Sequence, residues 1–264
     1  MKLSALIVVH NEEAQLADCL QGLSFADEIV VVLDKCTDGS KDIATRFTDR
    51  LIEGYWDLEG ARRNAGIEAC RGEWVFEIDA DERAPAELGE EILRVIDGAG
   101  GGADGDIFNI PVLNHVGGRL VRHGWGGLFG KNGYPGLFRK GVKVWGPERL
   151  HPHLHVSGRQ GTDLKTPISH FVDKDISDML RRLDRYTTLR ALDLADRGEI
   201  GSFPNMVRKI FSRFWKCYVA RKGYKENGYG FIIALCAALY PVLSHLKASL
   251  EMSGQMSKRG PQGD

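Results

Sequence analysis

The sequence lacks the marks of several common classes of protein. Its five cysteines, Cys19, Cys36, Cys70, Cys217 and Cys236, are odd in number and form no C-x-x-C pair. That tells against a disulfide framework and leads us to expect a reducing compartment, the cytoplasm. Charge of neither sign dominates: 35 Lys and Arg stand against 36 Asp and Glu, a formal net charge of -1. No global basic field points to nucleic acid, and any positive patch must be local. No apolar run reaches the roughly 20 residues that a spanning helix needs. Residues 228–246 come nearest and are interrupted by Pro241. The opening run, 3–9, is shorter than the apolar core of a signal peptide and has no small-residue cleavage site after it, so a first strand is expected there. No G-x-G-x-x-G follows that strand, which tells against a dinucleotide-binding oxidoreductase.

What is present organises itself around one stretch, Glu73-Trp74-Val75-Phe76-Glu77-Ile78-Asp79-Ala80-Asp81-Glu82. Its apolar, aromatic and β-branched run is too short for a helix and reads as a buried strand ending in two carboxylates two residues apart. On a mostly parallel α/β sheet, the crevice beyond the carboxyl ends of the strands is where ligands bind. Like charges this close need a cation beside them, and hard oxygen ligands suit Mg²⁺ or Mn²⁺, which points to a metal that carries a diphosphate. The plainer reading is a strand that runs into an acidic, solvated turn, with Asp81 or Glu82 capping a helix at 87–96.

The preceding chain supports the first reading. After strand 3–9, Asn11 is placed to cap a helix reaching about residue 23, with acids in its first turn. A second apolar strand, 28–33, also ends in polar residues: Asp34, then Thr37-Asp38-Gly39-Ser40 and a short helix. A short strand at 51–54 and a helix at 58–69 carrying Arg62, Arg63 and Asn64 precede the acidic strand. This βαβα order predicts a doubly wound, mostly parallel, Rossmann-like sheet with nucleotide binding in residues 1–105. Beyond the glycine run 98–105, strands are expected at 107–112 and 137–144 around a glycine-rich segment, 117–136, which suits a loop-built acceptor half over 106–175. A further strand, 166–171, and a helix, 176–196, lead into a helical region over 176–252, and 253–264 is expected to be a disordered tail.

Taken together, Val8-Val9-His10-Asn11-Glu12-Glu13, Asp34 with Thr37-Asp38-Gly39-Ser40, Arg63-Asn64-x-Gly66 and Asp79-Ala80-Asp81 resemble glycosyltransferase family 2 over roughly residues 1–175. More narrowly, the chain resembles its bacterial lipopolysaccharide-core β-glucosyltransferases. The resemblance implies a GT-A fold, a nucleotide-sugar donor (a UDP-sugar first), a divalent metal and inversion at the anomeric carbon. It implies that the His10-Asn11-Glu12 turn and Asp34 meet the base and ribose, that Arg63 lies near the diphosphate, that Asp79 serves the ribose or a metal-bound water, and that Asp81 holds the metal. The chain departs from the family pattern at Cys36, where a Ser is usual, and at Leu33, where a second Asp is frequent. The general base for the acceptor hydroxyl is Glu148 or His151, with Glu148 preferred, because the Glu that often follows this His in relatives is here Pro152. A non-catalytic nucleotide-sugar-binding or scaffold protein on the same fold is the alternative function.

Two further patterns stand out. His151, His153 and His155 would share one face of a strand and so suit zinc, but Pro152 interrupts the ladder and favours an acceptor-binding or buried-polar role. Residues 206–218 place Val207, Ile210, Phe211, Phe214 and Tyr218 at helical spacing among Arg208, Lys209, Arg213 and Lys216, the pattern of a basic helix at a membrane surface. The apolar stretch 229–246 is expected to lie in the interface, or else to pack as a helical hairpin on the catalytic domain or on a second subunit of a homo-oligomer. The catalytic half is expected to fold without 203–250. The chain as a whole is expected to be cytoplasmic, peripheral on the inner face of the cell membrane, with a lipid-linked or oligosaccharide acceptor.

Overall fold

A computed structural model describes residues 1–98, 103–126, 130–148 and 152–252. The expected tail, 253–264, lies outside the described residues. In order, the chain forms β1 (Leu3–Val9), α1 (Leu16–Gln21), β2 (Glu28–Asp34), α2 (Ser40–Ala44), β3 (Leu51–Gly54), α3 (Glu59–Ala69), β4 (Trp74–Asp79), β5 (Glu82–Arg83), α4 (Ala86–Asp97), β6 (Ile107–Val116), β7 (Arg119–Val121), β8 (Gly133–Arg139), β9 (Lys143–Trp145), β10 (Leu154–Val156), β11 (Ile168–Asp173), α5 (Ile176–Arg197), α6 (Phe203–Trp215) and α7 (Asn227–Leu246). These divide into two compact units, Met1–Leu113 with Asn132–Phe171, and Asn114–Lys131 with Val172–Asp264.

The first unit is built on a sheet of order β3-β2-β1-β4-β8-β6-β11-β5. The pairs β3–β2, β2–β1 and β1–β4 are parallel, whereas β8 runs antiparallel to both β4 and β6. The continuous apolar runs of β1, β2 and β4 are buried on both faces, as strands covered by helices on either side must be. Trp74, Phe76 and Ile78 join one cluster with Leu16, Leu20, Leu88 and Ile92; Val75 joins a second with Leu6, Val32 and Ile67. Alternation along β4 therefore sends Glu77 and Asp79 to the Val75 side, the side of α3.

Three local expectations shift. The first helix begins at Leu16, not at Asn11, because Asn11 adopts φ +58° and its side-chain oxygen accepts from Thr37 N at 2.8 Å, tying two loops together in place of capping. The helix after Asp81 is entered through Pro85 with no side-chain cap, so neither Asp81 nor Glu82 caps it. The strand expected over 137–144 breaks into β8 and β9 at Gly141, whose φ of +94° is reached most easily without a side chain.

In the second unit α5 is capped by Asp175, which accepts from Asp178 N at 2.7 Å, and anchored by Arg182, whose guanidinium forks onto buried Asp173 at 2.8 Å on both oxygens. Helix α7 is an interior element: Ile233, Ala234, Cys236, Ala238 and Tyr240 are buried, and α5 and α6 pack on it. At its start Glu226 accepts from Arg122 N, His123 N and the His123 ring at 2.9, 3.0 and 2.8 Å, which ties the segment after β7 to the helix. Residues 203–250 thus supply much of the core of their own unit, whereas the expectation that the catalytic half folds without them concerns the first unit, to which they do not belong.

Candidate active site

The parallel register sets the site. Val8 pairs with Val32 on one side and with Asp79 on the other, so β1 ends between the chain ends of β2 and β4. His10 turns back there, its Nδ1 2.7 Å from the carbonyl of Asp34. Asp34 itself is buried; one carboxylate oxygen accepts from Trp56 N at 3.0 Å and the other meets Arg62 at 3.0 Å. The Nε of Arg62 is buried and has no hydrogen-bond partner among the described residues. The 10–13 turn is laced to the loop after β2: Glu12 N donates to Ser40 Oγ at 2.9 Å, Glu13 N to Asp38 at 3.0 Å, and Gly39 N to Glu13 at 2.7 Å. Half-buried Cys36 lies in the same loop with its Sγ 3.5 Å from the Val9 carbonyl, and burial pushes its thiol up.

Arg63 lies at the hub of a buried charge network. Its Nε donates to Glu59 at 3.0 Å, and its two terminal nitrogens donate to Glu77 at 2.7 Å and to Asp79 at 2.9 Å. Burial alone would lower its pKa, but Asp79, Glu59 and Glu77 outweigh that and hold it well above the ordinary value. Glu77 is fully buried and also meets Lys143 Nζ at 2.7 Å, so two cations keep it ionised below the usual carboxylate range against the cost of burial. Burial lowers the pKa of Lys143 despite that partner. The Arg63 guanidinium and the Lys143 ammonium both lie against the Trp145 ring, at 5.2 and 4.7 Å. Asn64 exchanges two hydrogen bonds with the Trp145 backbone, each 2.9 Å, and a Cβ on Gly60 would sit 2.0 Å from the Gly146 carbonyl, so the β9 segment seats directly on α3.

Beyond β4, Asp79 N donates to the buried Glu82 carboxylate at 3.0 Å, and the Tyr134 hydroxyl lies 2.9 Å from the Glu77 carbonyl and 3.1 Å from Glu82. Burial and these carboxylates push the Tyr134 phenol far up, so it stays a neutral donor. Asp81 follows in the turn, about one-third exposed, with its Oδ2 3.2 Å from His170 Nε2 on β11. A carboxylate oxygen from the turn after β4 and an imidazole nitrogen from β11 thus converge on one point, a donor pair that fits a divalent ion such as Mn²⁺ completed by ligand oxygens. Among the described residues no group of three or more His, Cys, Asp or Glu side chains is gathered for a metal.

Glu148 sits three residues past Trp145. Its carboxylate accepts from His153 N at 2.9 Å and pairs with His153 Nδ1 at 2.8 Å, and these bonds push it down to about 2. His151 lies outside the described residues. His153 precedes β10 and His155 lies within it, so these two do not share one strand face. Sequence reasoning missed Glu77, Lys143, Trp145, Tyr134 and His170. The signal for Glu77 was in view, a charge in the middle of an otherwise apolar buried run, which is tolerated only when paired.

A parallel half with acids at its carboxyl edge, continued by antiparallel strands that bring Tyr134 and His170 back to those acids, is the architecture of a GT-A transferase. The chain belongs to glycosyl transferase family 2, whose model matches residues 4–151, and is accordingly a glycosyltransferase; the scaffold alternative is set aside. It is 26% identical over 265 residues to the lipopolysaccharide core biosynthesis glycosyltransferase LpsC of Rhizobium meliloti, covering 94% of this chain and 92% of that protein. It is 35% identical to the putative glycosyltransferase EpsH of Bacillus subtilis, over 43% of this chain and 33% of that longer protein. Among solved structures, S. aureus TarS 1-349 in complex with UDP aligns over 97% of this chain and 92% of that one, with 14% identity and a TM-score of 0.48.

Proposed function

We propose that this glycosyltransferase moves a sugar, with inversion, from a nucleotide-sugar donor, a UDP-sugar first, to a lipid-linked or lipopolysaccharide-type glycan at the inner face of the cell membrane. The observation that carries the reading is the convergence of Asp34, Asp79 and Asp81 at the ends of β2 and β4 with His170 opposite Asp81. The similarity to LpsC over nearly the whole chain supports the acceptor class. Residues 1–105 would hold the donor, 106–175 the acceptor, and 176–252 would form the membrane-associating helical region.

In this reading the loops at His10, Asn11, Glu12 and Asp34 receive the base and ribose, and Arg62, ion-paired with Asp34 at 3.0 Å, is the cation beside them. Arg63 acts one step back: each of its three nitrogens meets a carboxylate, and it fixes the orientation of Asp79. Asp81 and His170 would hold the divalent metal, which when bound neutralises charge growing on the leaving diphosphate. Glu148 or His151 takes the proton of the acceptor hydroxyl. Glu148 must first release His153, because a carboxylate near 2 is a weak base.

A thermal-shift panel of UDP, GDP, dTDP and CMP, each with and without Mn²⁺, tests the reading. UDP with Mn²⁺ is expected to raise the melting temperature most. Absence of any nucleotide response would overturn the donor assignment, and a response without metal dependence would overturn the metal.

A further inference from the structure

Helix α6 has an apolar face wider than the surface it buries. Met206 and Cys217, in the turn that follows, are buried, and Phe214 meets Phe231 of α7 edge-on at 5.7 Å. Phe211 and Trp215, one turn apart, point the other way and are 72% and 65% exposed. Together with Ile210, Ser212 and Phe214 they line an open groove of about 660 Å³. Phe231, half exposed, and Tyr224, stacked edge-on with Tyr218 at 6.5 Å, extend the aromatic surface along the same unit. Exposed aromatic patches of this kind mark a surface that docks.

Charge identifies what docks there. Residues 203–225 carry seven Lys and Arg and no Asp or Glu, in a chain whose net charge is -1. Arg208 lies one turn before Phe211 and two before Trp215 on the same exposed face, and Lys216, Lys222 and Lys225 are exposed beside them. A second copy of this chain would set one all-basic face against another, which like-charge repulsion disfavours. Helix α7 is the more apolar segment, but its Ile233, Ala234, Cys236 and Ala238 are already enclosed by protein.

We propose that this face of α6 and the turn after it docks on an anionic phospholipid bilayer. Phe211 and Trp215 enter the boundary between headgroups and acyl chains, while Arg208, Lys216, Lys222 and Lys225 meet headgroup phosphates. The Trp215 indole favours that depth because its ring is apolar and its N–H tolerates water, and the wholly apolar Phe211 ring adds buried area beside it. The inference rests on the reading of a membrane-borne acceptor and names the surface that serves it: α6 lies in the interface, and α7 stays in the protein.

The test is flotation of the full-length chain with mixed phosphatidylglycerol–phosphatidylcholine vesicles and with phosphatidylcholine alone, alongside UDP/Mn²⁺ thermal shift on the same samples. Wild type should float with the anionic vesicles and much less with the neutral ones. Phe211→Ser/Trp215→Ser should lose most of the binding, and Arg208→Ser/Lys216→Ser should lose about twenty-five-fold, roughly five-fold for each cation. All four side chains are exposed, so melting temperature and nucleotide response should stay at wild-type values. A wild type that binds UDP but does not float overturns the docking alone; one that floats but answers no nucleotide overturns the site reading alone. Flotation unchanged in both variants, or sedimentation showing a dimer that Phe211→Ser/Trp215→Ser dissociates in a protein that does not float, would also contradict the proposal.

Discussion

Arg63 illustrates how partners decide the role of a side chain. An arginine in the first turns of a helix beside a nucleotide site suggests a phosphate ligand, yet each of its three nitrogens meets a carboxylate of its own chain. Glu148 raises the same issue for catalysis. Glu148→Gln is expected to lower kcat by about 10² to 10⁴ while leaving nucleotide affinity nearly unchanged, the range for loss of a general base. Near-wild-type turnover in that variant, with loss in His151→Ala, would assign the role to His151. Asp34, Asp79 and Asp81 were legible because each closes an apolar run, and a strand's end can be read locally. His170 and Lys143 were not, because they stand 89 residues from Asp81 and 66 from Glu77, and only the pairing of distant strands brings them together.

At the scale of elements, type was easier to read than destination. The strands β1, β2, β3 and β4 and the helices α3, α4 and α5 fall within two residues of where periodicity puts them. Helix α1 and the β8–β9 break were misread because one asparagine in a left-handed conformation and one glycine turn decide them. Helix α7 was read as apolar, but composition cannot say whether lipid or protein covers an apolar helix. Its packing gives a prediction: Ile233→Ala, at a fully buried position, should destabilise the protein by about 2–5 kcal/mol in urea unfolding. A change well under 1 kcal/mol would mean that Ile233 faces lipid or solvent, not protein.

The whole molecule is held at neutral pH partly by buried or hydrogen-bonded carboxylates. For Glu77 burial opposes ionisation and Lys143 and Arg63 outweigh it; for Glu28 burial is likewise outweighed, by Ser4, the Arg71 N–H and nearby arginines; for Asp38, by Ser40 and the Glu13 N–H. Their folded pKa values lie below the unfolded ones of 4.5 and 3.8, so the unfolded chain binds protons first as pH falls. Their contribution is fully present above about pH 5 and is lost progressively as pH falls through and below the unfolded carboxylate range. Melting followed by circular dichroism should be nearly constant from pH 7 to 5.5 and drop steeply below 4.5; a flat profile down to pH 3.5 would contradict this account of the charge network.

The central claim is that the acids at the end of β4 hold a metal-bound nucleotide diphosphate. Asp81 tests it most directly, because it is partly exposed and adds little to packing, so Asp81→Ala should fold with an unchanged circular dichroism spectrum. Calorimetric titration of UDP with and without Mn²⁺ into wild type and Asp81→Ala is the measurement. The account predicts Mn²⁺-dependent UDP binding in wild type and its loss in the folded variant; UDP binding with the same Mn²⁺ dependence in both proteins would contradict it.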